Sequence, residues 1–166
     1  MKGYNKLALI ALATLVAVVI TGCSPVTNHH RIVDYQKNVF DDENKIVVQG
    51  DSYTYSTKKG KYIGNEADLK FASFSGMDTI FKITSDGQND VVINFEAVIT
   101  KGDFKVVLIT PDDEVINILH GTKKGSETIA LKEGTSRIKL VGKNANGKIR
   151  IKIVSEENVY IKTGGE

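Results

Sequence analysis

Lys148-Ile149-Arg150-Ile151-Lys152-Ile153 decides the fold. Every second side chain is isoleucine and every intervening one is cationic, which is the period of a strand with one buried and one solvated face; a helix would scatter those charges around its circumference. Val91 to Thr100 repeats the pattern, with Val91, Ile93, Phe95, Ala97 and Ile99 on one face and Asn94, Glu96 and Thr100 on the other. Outward from these two stretches the same texture holds from Lys45 to the end: short runs rich in β-branched and aromatic residues, broken about every 8 to 14 residues by turn clusters. Ser52 to Ser56, Leu69 to Ser73, Thr79 to Thr84, Phe104 to Thr110, Thr128 to Leu131, Arg137 to Val141 and Val159 to Lys162 read as further strands. Val115 to Leu119 fits a strand and helical spacing alike.

Turn chemistry sets the expected connections. Asn146-Gly147 favours the positive φ angles of a type I′ turn and predicts a hairpin between Arg137–Val141 and Lys148–Ile153. Lys101-Gly102-Asp103 is read in the same way between Val91–Thr100 and Phe104–Thr110, and Pro111-Asp112-Asp113-Glu114 as the turn into Val115. Roughly eight to ten strands suit two packed sheets. The fold class expected is all-β: an antiparallel β-sandwich, jelly-roll-like.

The 166 residues carry 22 basic and 20 acidic side chains. Lys2 and Lys6 lie ahead of an apolar run, Leu7 to Ile20, in which Thr14 is the sole polar residue, and the chain beyond that run is charge-balanced. A global pull toward nucleic acid, which needs clustered positive charge, is thereby excluded. The run is shorter than the roughly 20 residues that a membrane-crossing helix requires, and its basic flank suits a cleaved export signal. Cys23 is the sole cysteine, so no internal disulfide is available and the fold must hold by packing.

Ile20-Thr21-Gly22-Cys23 resembles the lipobox of bacterial lipoproteins, and the context is similar to the small lipoproteins of Gram-positive bacteria. The resemblance implies cleavage after Gly22, a diacylglyceryl group in thioether linkage on Cys23, and residence at the extracytoplasmic face of the cell membrane. Two acyl chains make such an attachment durable where one is marginal. The expected organisation is a signal peptide over 1–22, a lipidated tether over 23–44 and a β-sandwich over 45–166. The tether is polar and without period, although Ile32-Val33 and Val39-Phe40 could dock on the domain.

Residues that could carry chemistry are few. No Gly-x-Ser-x-Gly elbow is present, and His120 is the one histidine of the strand-rich part, in a turn-like Leu119-His120-Gly121 that reads as surface. His29-His30 lack a third ligand at zinc spacing. Asp86 to Asp90 and Asp112 to Glu114 are oxygen-rich but do not have the spacing of an EF-hand, and Asp, Asn and Gly are what any turn selects. No cofactor, metal site or catalytic residue is expected.

Two clusters remain as candidate ligand sites. Arg137, Lys139, Lys148, Arg150 and Lys152 are expected to share the solvent face of one hairpin, a basic stripe facing the anionic headgroups or phosphate polymers of an envelope. Tyr53 and Tyr55 lie two apart and project from one strand face about 7 Å apart, with Tyr62 beyond a Lys-Lys-Gly turn, so their rings could stack sugars, although no Trp is present. The function expected is a non-enzymatic binding module that recognises an envelope polymer or a protein partner. A structural accessory subunit of an envelope complex is the alternative, and a hydrolase ranks behind both.

Overall fold

The computed structural model describes residues 34–164. Cys23 and the lipobox Ile20-Thr21-Gly22, like His29-His30 and Ile32-Val33, lie outside the described residues. Two short helices, α1 over residues 34–38 and α2 over Glu43–Ile46, precede eight strands. These are β1 (Ser52–Thr54), β2 (Thr57–Ile63), β3 (Glu66–Ser85), β4 (Asn89–Ile109), β5 (Val115–His120), β6 (Lys123–Leu131), β7 (Gly134–Ser155) and β8 (Val159–Thr163).

All pairings are antiparallel, and hydrogen bonding links the strands into one sheet. Its spine is β3–β7–β4, strands of 20, 22 and 21 residues. Strands this long cannot stay flat, and each bends once, at the same level. Pairing shifts register between Phe71 and Gly76 on β3 and between Ile99 and Asp103 on β4. Ser73, Gly76, Gly102 and Asn144 take positive φ there, at 51°, 105°, 71° and 52°. Left-handed residues and bulges turn a strand sharply, so the spine folds over and its two halves face each other. At Gly102 glycine is required twice over, because a Cβ would also strike the Asn144 carbonyl.

The halves form the two layers of a sandwich. In the first, the order is β3–β7–β4–β6 with β2 added outside β3; in the second, it is β3–β7–β4–β5 with β1 and β8 outside β3. Along the chain, β3 and β4 each pass from first layer to second, β5 stays in the second, β6 returns to the first, and β7 passes from second to first. That winding is the jelly roll. Short connections at 86–88, 132–133 and 156–158 close the end opposite the bend. At that end Lys132 pairs with Asp112 at 2.8 Å and Glu114 at 3.7 Å, both exposed contacts.

The core lies between the layers. Leu69, Phe95, Ile149, Ile151 and Ile153 from the first meet Ile83, Leu108, Ile138 and Leu140 from the second, and all are buried. Phe71 stacks on Phe104 at 5.0 Å between ring centroids, and Tyr62 meets Phe81 edge-on at 6.2 Å. The inward sets on 91–97 and 149–153 are those that alternation predicts. Val115 to Leu119 resolves as strand β5.

Two expected hairpins do not form. Lys101-Gly102-Asp103 lies within β4 and Asn146-Gly147 within β7. The turn-forming residues are spent on the bend, where Asn146 Oδ1 accepts the Ser73 N–H at 2.7 Å. Lys58-Lys59-Gly60, read as a turn, is the interior of β2.

Part of the outer surface of the second layer is covered rather than solvated. Met77, Val107, Ile109 and Val141 face outward and bury Val39, Phe40 and Ile46 of the preceding segment. Asp42 caps α2 by accepting the Asn44 N–H at 3.1 Å. Three cations clamp this strap. Lys139, at 0% exposure, donates to the carbonyls of Val48 at 2.6 Å and Gly50 at 3.1 Å. Arg137 donates to the Val47 carbonyl at 3.0 Å and to Asp113 at 2.9 Å, and Lys143 pairs with Asp41 at 2.9 Å. His120 ends β5 with its ring 5.8 Å from Phe40.

Candidate functional site

Along its outer edge β3 carries three short partners in succession: β2, then β1, then β8. The seam between them opens into a cleft of about 290 Å³ lined by Asp51, Tyr53, Lys58, Tyr62, Asp78, Thr79, Thr163 and Gly164.

Each wall has a local cause. Tyr53 sits opposite Gly76 in the β1–β3 ladder, where a Cβ on Gly76 would strike the Ser52 carbonyl, so only glycine lets β1 approach this closely. Gln36 of α1 holds both ends of β1, accepting from Thr54 Oγ1 at 2.7 Å and donating to Ser52 Oγ at 3.4 Å. Tyr55 stacks on the fully buried Phe74 at 4.4 Å with ring planes 8° apart. Its hydroxyl donates to Asp78 Oδ2 at 2.6 Å, and Lys58 Nζ donates to the same oxygen at 2.6 Å. The Lys58 ammonium thus sits among three rings, 5.3 Å from the centroid of Tyr55, 5.7 Å from Tyr53 and 5.9 Å from Tyr62. Beside this group Thr79 donates to Asp51 Oδ1 at 2.7 Å, and Lys139 lies 3.5 Å from that carboxylate.

Protonation follows from this packing. Burial, reinforced by the charge of Asp78, pushes the Tyr55 hydroxyl far above the ordinary tyrosine value. Burial pulls the Lys58 ammonium down, but the hydrogen bond and charge of Asp78 outweigh it and leave it above the ordinary lysine value. Lys139 is the opposite case, held below that value by burial with only partial relief from Asp51. Tyr62 is raised by burial.

The cleft therefore combines an exposed ring, Tyr53 at 47%, with buried hydrogen-bonding groups, Asp78 at 4% and Thr79 at 6%. An apolar wall with a few convergent polar groups is the usual make-up of a small-molecule site. A larger concavity of about 490 Å³ lies outside the first layer beside Phe95, but its rim is committed: Lys124 to Glu96 at 3.3 Å and Lys152 to Glu66 at 2.6 Å.

The structure gathers Tyr53, Tyr55 and Tyr62 and disperses the expected basic stripe. Lys148, Arg150 and Lys152 face outward on the first layer, whereas Arg137 and Lys139 are buried beneath the strap on the second. The bend in β7 separates the two groups, so the shared solvent face does not exist. Arg150 is engaged as well, at 2.7 Å and 3.2 Å from Asp68, its partner across the β3–β7 ladder. Sequence reasoning passed over Lys58, Asp78, Asp51 and Thr79. The usable signal was Asp78 itself, a lone carboxylate inside the run Gly76-Met77-Asp78-Thr79-Ile80-Phe81, since a charge buried in a strand needs a partner.

No family model and no curated protein matches the chain. Among solved structures, it is similar to a mutant of a family 29 carbohydrate-binding module complexed with mannohexaose, with a TM-score of 0.33 and 12% identity over 70% of this chain and 82% of that one. Another structure of a family 29 module gives a TM-score of 0.32 and 12% identity, covering 70% and 80%. The enzymatically active domain of a tailspike protein of bacteriophage CBA120 gives 0.37 and 11%, covering 77% of this chain and 20% of that one.

Proposed function

We propose that the protein is a non-enzymatic binding module, tethered through a lipid on Cys23 to the extracytoplasmic face of the cell membrane, that recognises an envelope polymer in the tyrosine cleft. The observation that carries this reading is the exposed Tyr53 ring set beside the buried Asp78 carboxylate and Thr79 hydroxyl and the more open carboxylate of Asp51. A flat aromatic face takes the apolar side of a sugar ring, and carboxylates take its hydroxyl protons. Tyr55 serves as a positioning residue, because its ring is stacked on Phe74 and its hydroxyl orients Asp78. The anchor rests on the apolar leader and the residues Ile20-Thr21-Gly22-Cys23.

Two measurements test the two halves. Mass spectrometry of the protein from its native membrane should find Cys23 at the N-terminus bearing a diacylglyceryl group; an unmodified thiol with the leader attached overturns the anchor. Co-sedimentation with purified cell-wall polymer should fall at least tenfold in affinity on Tyr53→Ala, with the melting temperature unchanged. Equal retention of wild type and variant overturns the cleft as the binding site, and recovery of a stoichiometric protein partner with no polymer favours the accessory-subunit alternative.

A further inference from the structure

The ligand class is encoded in the charges of the cleft. Three charged groups line it, and each has a partner: Lys58 and Asp78 pair with each other at 2.6 Å, and Asp51 lies 3.5 Å from the buried Lys139 behind it. Neither cation is free to meet an anion. Lys139 is fully buried with its protons on the Val48 and Gly50 carbonyls, and Lys58 is caged by three rings while bound to Asp78. An incoming phosphate or sugar carboxylate would have to share Lys58 with Asp78, whose side chain is 6% exposed, and bring a second negative charge against that carboxylate. An incoming ammonium would meet the Lys58 cation already seated on Asp78 and be repelled by its like charge. An uncharged polyol meets no such cost. It needs an aromatic face and acceptors with free lone pairs, and each paired carboxylate keeps some of these.

Size narrows the ligand further. At about 290 Å³ the cleft lies at the bottom of the range of about 300–1,000 Å³ typical of ligand sites. It has room for one ring rather than a run of them.

From this we propose that the cleft selects a single uncharged pyranose unit of the polymer, and that the Lys58–Asp78 pair enforces neutrality. The proposal rests on the cleft being the polymer-binding site, and the test keeps the two claims apart. Titration calorimetry would compare neutral hexasaccharides of glucose, mannose, galactose and N-acetylglucosamine with polygalacturonate, poly(glycerol phosphate) and a glucosamine hexamer, against wild type, Tyr53→Ala, Asp78→Asn and Lys58→Met.

Wild type should bind at least one neutral hexasaccharide at least tenfold more tightly than any charged probe. Raising salt from about 50 to 500 mM should change that affinity by less than roughly twofold. Asp78→Asn keeps the shape and frees Lys58, so it should gain at least fivefold toward an anionic probe, now with steep salt dependence. Lys58→Met, on the edge strand β2, leaves Asp78 alone and should gain toward the glucosamine hexamer; it decides the matter should Asp78→Asn not fold. Preference of wild type for a charged probe, abolished by Tyr53→Ala, overturns the neutrality claim and leaves the site standing. Absence of any binding that Tyr53→Ala weakens overturns both.

Discussion

Lys139 Nζ lies 2.6 Å from the carbonyl oxygen of Val48, a residue 91 positions earlier in the chain, and the bond is sealed at 0% exposure of the lysine. On β7 the lysine alternates with Ile138 and Leu140, which point into the core, so it points out of the sandwich and yet does not reach water. The strap lies over it. A cation so placed trades hydration for backbone acceptors, and it fastens the end of the segment that carries α1 and α2.

Lys139→Met keeps the length of the side chain and removes its charge. The carbonyls of Val48 and Gly50 lose their donor and Asp51 loses its cation, a loss of about 2–4 kcal/mol. Urea unfolding should show this drop, and limited proteolysis should show cleavage near residues 47–51 that wild type resists. Unchanged stability would mean that the strap is held by Val39, Phe40 and Ile46 alone.

Alkaline pH should loosen the cleft first. Tyr55 and Lys58 both have folded-state values above their ordinary ones, about 10 and 10.5, so the unfolded chain gives up these protons before the folded one does. Their stabilisation is complete below pH 10 and declines as pH rises beyond it. Lys139, lowered by burial, acts with the opposite sign, and comparison with Tyr55→Phe isolates the tyrosine contribution. Unfolding free energy measured from pH 8 to 11 should fall more steeply above pH 10 in wild type than in Tyr55→Phe. Parallel profiles would contradict the assignment.

The bend depends on Gly102. Its φ of 71° and the nearby Asn144 carbonyl leave no place for a side chain, and Gly102→Ala should cost about 1–3 kcal/mol by thermal or urea unfolding. Gly87→Ala, at a turn where a Cβ would meet nothing within 4 Å, is the matched control and should stay within about 0.5 kcal/mol. Equal behaviour of the two variants would refute the role given to the bend.

Facing was legible in the sequence because it is a local property. The alternation at 91–97 and 149–153 assigns Phe95 and Ile151 to the core without reference to any other strand. The bend was not legible, because Asn146-Gly147 and Lys101-Gly102-Asp103 suit a hairpin or a bulge equally well: Gly102 supplies its left-handed backbone and Asn146 its side-chain acceptor to the bulge. What separates the two outcomes is whether the neighbouring strands bend at the same level, as β3 does between Phe71 and Gly76. Lys139 misled for a related reason: its outward phase was right, but the cover over it comes from a segment without any period of its own. The cleft was half legible. Tyr53 and Tyr55 are close in sequence, whereas Asp78 reaches Tyr55 across 23 positions and a register that no local pattern records.

Since β3, β4 and β7 each run through both layers, neither layer has a spine of its own. A fluctuation that frays one of them pulls on hydrogen bonds in the other, so the slowest amide hydrogens on both sides should open together as a single cooperative unit. Having no cystine to staple it, the molecule gains its endurance from shared threads, much as cloth resists tearing when the warp passes through both plies.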